Sequence, residues 1–195
     1  AARWISGTPL ASLVNWASAQ SALRKMGEAV LGVSAERPLP PFARQTFQQW
    51  FGAQAGGAGA RGDGAPGPRV VLFPDVFNAY HTPAPLRAAA RFLWATGHRV
   101  ELPSASVGSG RTLLSKGLVP QARRRARQTV EALVPYAEQG VPIVGLEPSS
   151  ILTLRDEFPD LLPDDPRVDA VAGGTYTFSE YVADRAEDGA FDDVS

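Results

Sequence analysis

Three short segments of this 195-residue chain hold most of the side chains that could bind or transform a ligand. They span residues 74–81, 106–111 and 147–150, and each closely follows an apolar run of the kind that forms a strand. Because ligands bind at the carboxyl ends of the strands in an open parallel sheet, we expect the three segments to converge on one crevice. The residues expected to line that crevice are Asp75, Asn78, Tyr80, Gly110, Arg111 and Glu147.

The turn formed by Gly108, Ser109 and Gly110 is suited to binding a small anion. Backbone N–H groups in such a turn can cradle an anion, and Arg111 could hold a carboxylate or phosphate through two parallel hydrogen bonds. The segment is not a phosphate-binding P-loop, because the required glycine, lysine and hydroxyl spacing is absent. The interpretation that we favour is a tight turn without chemistry, in which Arg111 pairs with Glu147 or Asp75, and anion binding is the alternative.

Ser109 and Ser150 are also the candidates for a nucleophile. His81 is expected on the same side of the sheet, and Asp75 could orient its ring as in a Ser-His-Asp triad. His98 precedes the second predicted strand and therefore belongs to the opposite end of the sheet. Since the Gly-x-Ser-x-Gly elbow of many hydrolases is missing, a hydrolase is the less favoured alternative.

The remaining charged clusters predict solvated surface rather than a metal site. The chain has no cysteine and two histidines, and the aspartate pairs at 164–165 and 192–193 are interpreted as loop charges. Four arginines at 123–127 fall on a predicted helix, with Glu131 one turn after Arg127. We interpret them as a solvated face with ion pairs along the helix, and docking of a partner is the alternative.

The elements that must position these residues alternate between strand and helix. Short continuous apolar runs are typical of parallel strands buried on both faces. The alternation predicts an α/β fold, an open parallel sheet with flanking helices of the Rossmann or flavodoxin type, preceded by an N-terminal helical segment. The predicted strands are residues 70–73, 99–102, 142–146 and, with the weakest pattern, 168–171, and the predicted helices cover residues 85–95, 119–136, 151–157 and 177–186.

Composition divides the chain into three parts. Residues 1–51 carry apolar residues at helical spacing, and we expect their aromatic cluster at 42–51 to pack on the main domain, with a membrane or quinone contact as the alternative. Residues 52–68 hold seven glycines, five alanines and two prolines, which predicts a linker. The α/β domain is expected to occupy residues 69–195.

Charge and hydropathy exclude several classes of partner. A net charge of −1 gives no electrostatic reason to expect nucleic acid. No apolar run approaches the roughly 18 residues of a transmembrane helix, and the N-terminus lacks a signal-peptide pattern. We expect a cytoplasmic protein, with a peripheral position at the inner face of the membrane as the alternative. Because the chain opens on Ala1, we also expect a piece of a longer protein.

Several ordered motifs together resemble one known domain. Residues 108–118 begin Gly-Ser-Gly-Arg, and residues 143–157 contain Glu-Pro-Ser-Ser, where the family has Cys-Cys-Gly-Arg and Glu-Pro-Ser-Cys. Residues 75–80 resemble the family's Asp-Thr-Phe-Asn-x-Tyr loop, and the likeness extends over about residues 36–181. The chain thus resembles the first half of the cysteine-rich CCG domain of FAD-linked 2-hydroxyacid dehydrogenases, glycolate oxidase iron–sulfur subunits and heterodisulfide reductases.

The resemblance implies a parent enzyme that carries FAD and iron–sulfur clusters and oxidises a D-2-hydroxyacid such as lactate or glycolate. It also implies flavin and ferredoxin-like domains of the same parent as partners. In this chain Gly108, Ser109 and Ser150 stand at the family's cysteine positions. Iron–sulfur clusters are held mainly by cysteine thiolates, so we predict that this chain binds no cluster and acts as a scaffold or electron-transfer accessory. The alternative is a non-enzymatic α/β module that binds a small anion or docks a partner.

Overall fold

The computed structural model describes residues 2–31, 34, 36, 40–55 and 67–187. The predicted aspartate pair at 192–193 lies outside these residues. The strands are β1 (Arg69–Phe73), β2 (Arg99–Glu101), β3 (Ile143–Gly145) and β4 (Thr175–Thr177). The helices are α1 (Ala2–Ile5), α2 (Leu10–Ala19), α3 (Ser21–Leu31), α4 (Phe47–Ala55), α5 (Val76–Tyr80), α6 (Ala84–Ala95), α7 (Arg111–Leu114), α8 (Val119–Ala137), α9 (Pro148–Asp156), α10 (Phe158–Leu161), α11 (Arg167–Gly173) and α12 (Phe178–Glu187).

The four strands form one parallel sheet in the order β2-β1-β3-β4. Strand β1 is central, and four of its five residues are buried, as its continuous apolar run predicts. The chain moves from β1 to β2 on one side and then returns to place β3 on the other side. The strand order therefore reverses between β1 and β3, where open α/β sheets bind their ligands. The predicted α/β class is confirmed.

Each face of the sheet packs against its own set of helices. Val71, Phe73 and Ile143 point to one face and pack against α8, α9, α10 and α11. Val70 and Leu72 point to the other face and pack with residues of α4 and α6. This alternation follows from the two-residue period of a strand, and it gives the sheet a covered core on both sides.

The predicted fourth strand is wrong. Residues 168–171 lie in α11, and the fourth strand is β4, which comes two residues after that helix. Val168, Val171 and Ala172 have the three- and four-residue spacing of a helical face, and all three are buried. Strand β4 reads Thr-Tyr-Thr and buries only Thr175, so it has no apolar run that would mark it in the sequence.

The N-terminal segment is helical, as predicted, but its last helix belongs to the core of the α/β unit. Phe47 and Trp50 of α4 are buried among the residues that cover the sheet. This placement favours plain packing for the aromatic cluster. Helix α4 continues to Ala55, so residues 52–55 of the predicted linker are helical, and residues 56–66 lie outside the described part. In the part of the chain that the structure describes, no helix combines the length and the apolar character needed to cross a bilayer.

Candidate functional site

The central feature of the site is a contact between two serines from different loops. Ser109 comes at the end of the loop after β2, and Ser150 lies in the first turn of α9. Their Oγ atoms are 3.0 Å apart and form a hydrogen bond, and Ser109 is buried. The structure therefore brings together two of the three positions at which the resemblance places cysteines.

A threonine on α8 holds the loop that carries Ser109. The Thr129 hydroxyl accepts a hydrogen bond from the Gly108 N–H at 3.1 Å and donates one to the Gly108 carbonyl at 2.9 Å. Thr129 is fully buried, so each of these backbone groups would lose its partner without that hydroxyl. The sequence patterns did not single out this residue. The available signal was a polar side chain between Ala126 and Leu133 on the otherwise apolar buried face of the helix.

The glycines on either side of Ser109 lie against the stem of Arg125. Gly110 has a φ of +72°, which favours glycine, and directly precedes α7. A Cβ atom at Gly108 would lie 3.6 Å from Arg125 Cδ, and one at Gly110 would lie 3.6 Å from Arg125 Cγ. A side chain at position 108 would therefore face α8, whereas the side chain of Ser109 faces α9.

Glu147 positions Ser150. Its carboxylate caps α9 by accepting hydrogen bonds from the Ser150 N–H at 2.7 Å and from the Ser149 N–H at 3.3 Å. The Ser149 hydroxyl donates to the same carboxylate. Gly145 permits the close approach of strand and helix, because a Cβ atom there would lie 2.7 Å from Ile151 Cβ. Glu147 is thus bound to its own helix terminus.

The polar groups of the loop after β1 bind the loop itself and the N-terminal segment. Asp75 is buried and caps α5, accepting hydrogen bonds from the Asn78 N–H at 2.9 Å and the Asn78 side-chain amide at 2.8 Å. The Tyr80 carbonyl accepts hydrogen bonds from Ser6 Oγ and the Ala43 N–H. Helix α5 contacts α1, α4 and α6. Among the three predicted loops, the structure therefore joins the second and third around the serine pair.

The Ser-His-Asp arrangement, which is the less favoured alternative, does not form among these residues. His81 Nδ1 lies 3.0 Å from the Pro41 carbonyl, and the ring lies beside Phe42 and Phe77. Asp75 binds Asn78 instead of His81. His98 is buried at the amino end of β2, as its position before that strand predicts.

Arg111 pairs with a residue that the sequence did not suggest. Its guanidinium lies 2.8 Å from Glu157 Oε1, and both side chains are partly exposed. The expected pairing with Glu147 or Asp75 is not found, since those carboxylates cap α9 and α5. Glu157 lies one residue beyond the end of α9. The packing of α9 against α7 brings this end of the helix to Arg111, and the sequence patterns do not specify that packing.

The donor set at this site does not suit an iron–sulfur cluster. The three positions that the resemblance assigns to thiolates offer two hydroxyl groups and, at Gly108, no side chain. The hydroxyls of Ser109 and Ser150 already bind each other, and Ser109 Oγ also accepts from the Arg111 N–H. Soft thiolates are the ligands that hold such clusters, so no electron-transfer step through a cluster follows from these residues.

Comparison with known proteins finds that the chain is similar to parts of dehydrogenases. It is 28% identical to a subunit of the anaerobic glycerol-3-phosphate dehydrogenase of Escherichia coli K12 over 156 residues, which is 80% of this chain and 38% of that protein. It is 33% identical to the D-2-hydroxyglutarate dehydrogenase of Pseudomonas putida over 89 residues, which is 46% of this chain and 9% of that protein. A D-2-hydroxyglutarate dehydrogenase from Pantoea ananatis is 27% identical over 95 residues.

The chain thus spans well under half the length of these curated relatives. No family model matches it, and no solved structure is significantly similar. One relative is a dehydrogenase subunit and the other two are dehydrogenases, and the chain is similar to a portion of each.

Proposed function

We propose that this chain is a degenerate CCG-type module of an FAD-linked, iron–sulfur oxidoreductase, where it acts as a scaffold or electron-transfer accessory and holds no cluster itself. Its partners would be the flavin and ferredoxin-like domains of the same parent protein. The parent would oxidise a D-2-hydroxyacid or a related substrate, in the cytoplasm or at the inner face of the membrane.

The observation that carries this proposal is the 3.0 Å contact between Ser109 Oγ and Ser150 Oγ. These residues are 41 positions apart and belong to different loops. In the CCG domains that the chain resembles, both positions hold cysteines. A fold that has kept two former ligand positions in contact, after losing the ligand atoms, supports descent from a cluster-binding module.

The similarity to parts of dehydrogenases supports the same proposal. The glycerol-3-phosphate dehydrogenase relative is named as a subunit, and the hydroxyglutarate dehydrogenases match over only 9% of their length. A chain of this kind would contribute to an assembly whose substrate chemistry occurs elsewhere. The small-anion alternative has lost two of its expected donors, because Arg111 is paired with Glu157 and the Gly108 N–H is bound to Thr129.

Iron, sulfide and flavin analysis tests the proposal. The intact parent protein, purified anaerobically, is expected to contain flavin and iron, whereas this chain after anaerobic reconstitution is expected to contain neither. Stoichiometric iron and sulfide in the chain would show that hydroxyl or backbone groups ligate a cluster. A parent without flavin and without iron would contradict the assignment to this class of oxidoreductase.

A pair of cysteines tests the geometry on which the proposal depends. Ser109→Cys combined with Ser150→Cys is expected to form a disulfide under mild oxidation, because the two side-chain atoms already touch. The matched control is Ser109→Cys with Ser149→Cys, since Ser149 is exposed and directed to Glu147. Mass spectrometry with thiol labelling would distinguish them. Equal oxidation of both pairs would mean that the serine contact is not specific.

A further inference from the structure

The most exposed apolar side chains among the described residues lie on three helices. Six large apolar side chains are at least half exposed, and all six belong to α1, α2 or α5. No other large apolar side chain among the described residues is more than 42% exposed. We call the six residues the apolar face: Trp4, Leu10, Leu13, Trp16, Val76 and Phe77.

Asn15 fixes the direction in which α2 presents its apolar side chains. Its side-chain amide donates to the Phe42 carbonyl at 2.8 Å, and its Oδ1 accepts from the Phe42 N–H at 2.8 Å. Ala11, one turn earlier on the same side of the helix, is fully buried. Residues in an α-helix advance by about 100° each, so Leu13 and Trp16 lie on the side away from these contacts. Their exposure therefore follows from the way in which α2 is attached.

Phe42 also connects α2 with α5. Its backbone binds Asn15, and its ring centroid lies 5.0 Å from that of His81. The His81 ring stacks on Phe77 of α5, with 5.5 Å between the centroids. Helix α1 contacts α5 as well. The three helices that carry the apolar face thus share one region of the surface.

The four tryptophans of the chain divide into two pairs. Trp50 and Trp94 pack together, with ring centroids 5.7 Å apart. Trp4 and Trp16 are exposed, and their side chains make no hydrogen bond or ring contact with any described residue. Tryptophan is enriched at bilayer interfaces because its ring is apolar while its indole N–H can stay hydrated. In the sequence this exposed pair flanks the two exposed leucines of α2, a composition typical of helices that lie in a bilayer interface.

The charges next to the apolar face are basic. Residues 1–27 contain Arg3, Arg24 and Lys25 and no acidic residue, and the first acidic residue is Glu28. The side chains of Arg3 and Lys25 are exposed and make no hydrogen bond or ion pair with any described residue. Helix α5 carries no charged residue. Because the whole chain has a net charge of −1, an anionic bilayer would attract this end of the molecule and repel the remainder, which orients the apolar face toward the lipid.

We propose that the apolar face binds the interface of a lipid bilayer that contains anionic lipids, with α1, α2 and α5 lying on the membrane and Arg3 and Lys25 near the lipid phosphates. The proposal deepens the proposed function, which allows the parent protein a place at the inner face of the membrane, and it names the surface that would hold the protein there. Such a surface lies on the bilayer and needs no spanning helix.

A bilayer is favoured over a protein partner by the composition of the face. The residues that dominate protein interfaces are mainly tryptophan, tyrosine and arginine, and leucine and valine are under-represented among them. Leucine, valine and phenylalanine provide four of the six side chains of the apolar face, and none is tyrosine. The neighbouring basic side chains match lipid phosphates, and tryptophan, phenylalanine and leucine are the apolar residues of interfacial helices.

Binding to vesicles of defined composition tests the proposal. The probes are large unilamellar vesicles of phosphatidylcholine alone, and of phosphatidylcholine and phosphatidylglycerol in equal parts. Co-sedimentation compares the unmodified chain with Leu13→Ser/Trp16→Ser. The matched control is Leu118→Ser/Val119→Ser, which removes two partly exposed apolar side chains at the start of α8.

We expect the unmodified chain and the control to bind the anionic vesicles alike, and Leu13→Ser/Trp16→Ser to bind them at least about tenfold more weakly. Neutral vesicles should bind the unmodified chain more weakly than anionic ones. Lipids brominated in the acyl chains should quench part of the tryptophan fluorescence. That quenching should be lost in Trp4→Phe/Trp16→Phe, which keeps apolar side chains at both positions and retains only the packed pair of tryptophans.

Absence of binding to the anionic vesicles, or equal binding by the two serine double variants, would overturn the proposal. Sedimentation velocity without lipid addresses a second copy of the chain as the occupant. A dimer that is lost in Leu13→Ser/Trp16→Ser, together with no vesicle binding, would assign the apolar face to self-association instead. The iron and flavin content of the parent does not depend on any of these results, so failure here is distinguishable from failure of the proposed function.

Discussion

The loops after β1 and β3 both begin with a helix-capping carboxylate, but they differ in the contacts that the capped residues make. Each leaves a buried strand with a carboxylate, Asp75 or Glu147, that caps the helix after it. After β1 the carboxylate of Asp75 binds only Asn78, three residues further along the chain. After β3 the cap holds Ser150 against a hydroxyl 41 positions away in the sequence.

The carboxylate after β1 only caps a helix, whereas the one after β3 caps a helix and also positions a residue of the candidate site. Helix capping accounts fully for Asp75, because every oxygen of this residue is used by its own helix. The contact between Ser109 and Ser150 requires β3, α8 and α9 to be in place together. Changes that disturb those elements should break the serine contact, whereas changes at Asp75 should cost stability and leave the contact intact.

The largest effect is expected from Gly145→Ala. The added Cβ atom would lie 2.7 Å from Ile151 Cβ, so α9 must move away from the end of β3. We expect a loss of about 3 kcal/mol in the free energy of unfolding and a lower rate of disulfide formation between cysteines at 109 and 150. Denaturant titration and thiol labelling measure the two effects.

Gly173→Ala is the matched control for that change. A Cβ atom at Gly173 meets nothing within 4 Å, and the residue lies at the end of α11. Its effect on stability should be within about 1 kcal/mol and favourable, because alanine is the better helix former. Equal losses in the two variants would mean that the approach of strand and helix at Gly145 is not tight.

The next effect in size is expected from Thr129→Val. The substitution keeps the shape of the side chain and removes both hydrogen bonds to Gly108 in a fully buried place. We expect a loss of about 2 kcal/mol, because a backbone donor and acceptor are left without partners. The Ser109 loop should also loosen, so the cysteine pair should oxidise more slowly in this background. Thr129→Ser retains the hydroxyl and should restore the rate, and a failure to restore it would assign the effect to packing.

The two regions also differ in how far the sequence predicts them. The patterns place strands β1, β2 and β3 within two residues of their ends, because buried apolar runs and alternating helices mark them directly. The same patterns miss the fourth strand because Thr175, Tyr176 and Thr177 carry no apolar signal and depend on β3 for their pairing.

In the candidate site, too, the sequence predicts local features and misses the contacts between elements. The residue types at 109 and 150 and the end of the sheet where they lie could be inferred from motifs and topology. The hydrogen bond between them, the role of Thr129 and the pairing of Arg111 with Glu157 could not. Each of these contacts depends on which turn of one helix faces another element, and local sequence does not specify that.

A smaller, purely local effect is expected from Asp75→Ala. The change removes the side-chain cap of α5 and the partner of the Asn78 amide. We expect a loss of about 1 kcal/mol and no change in the oxidation of the cysteine pair at 109 and 150. Asp75→Asn keeps one acceptor oxygen and should lose less. Slower disulfide formation in Asp75→Ala would mean that the loop after β1 also supports the contact between residues 109 and 150. The two loops would then not differ in the way described above.

An effect confined to acidic pH is expected from replacing His98, which lies at the opposite end of the sheet from both loops. His98 is 1% exposed, its Nδ1 lies 3.0 Å from Thr96 Oγ1, and its ring meets Tyr181 edge-on. Burial holds the pKa of His98 below its ordinary value of 6.5, and the positive charge of Arg185 adds to that effect. The unfolded chain therefore binds a proton near pH 6.5 that the folded chain does not bind until lower pH. This stabilisation is present in full above pH 6.5 and is lost as the pH falls toward the folded pKa, with a slope of at most about 1.4 kcal/mol per pH unit.

Denaturant titrations at a series of pH values should show a shallower decline in His98→Phe than in the unmodified chain. If the two declines coincide, His98 does not contribute to the acid sensitivity of the fold.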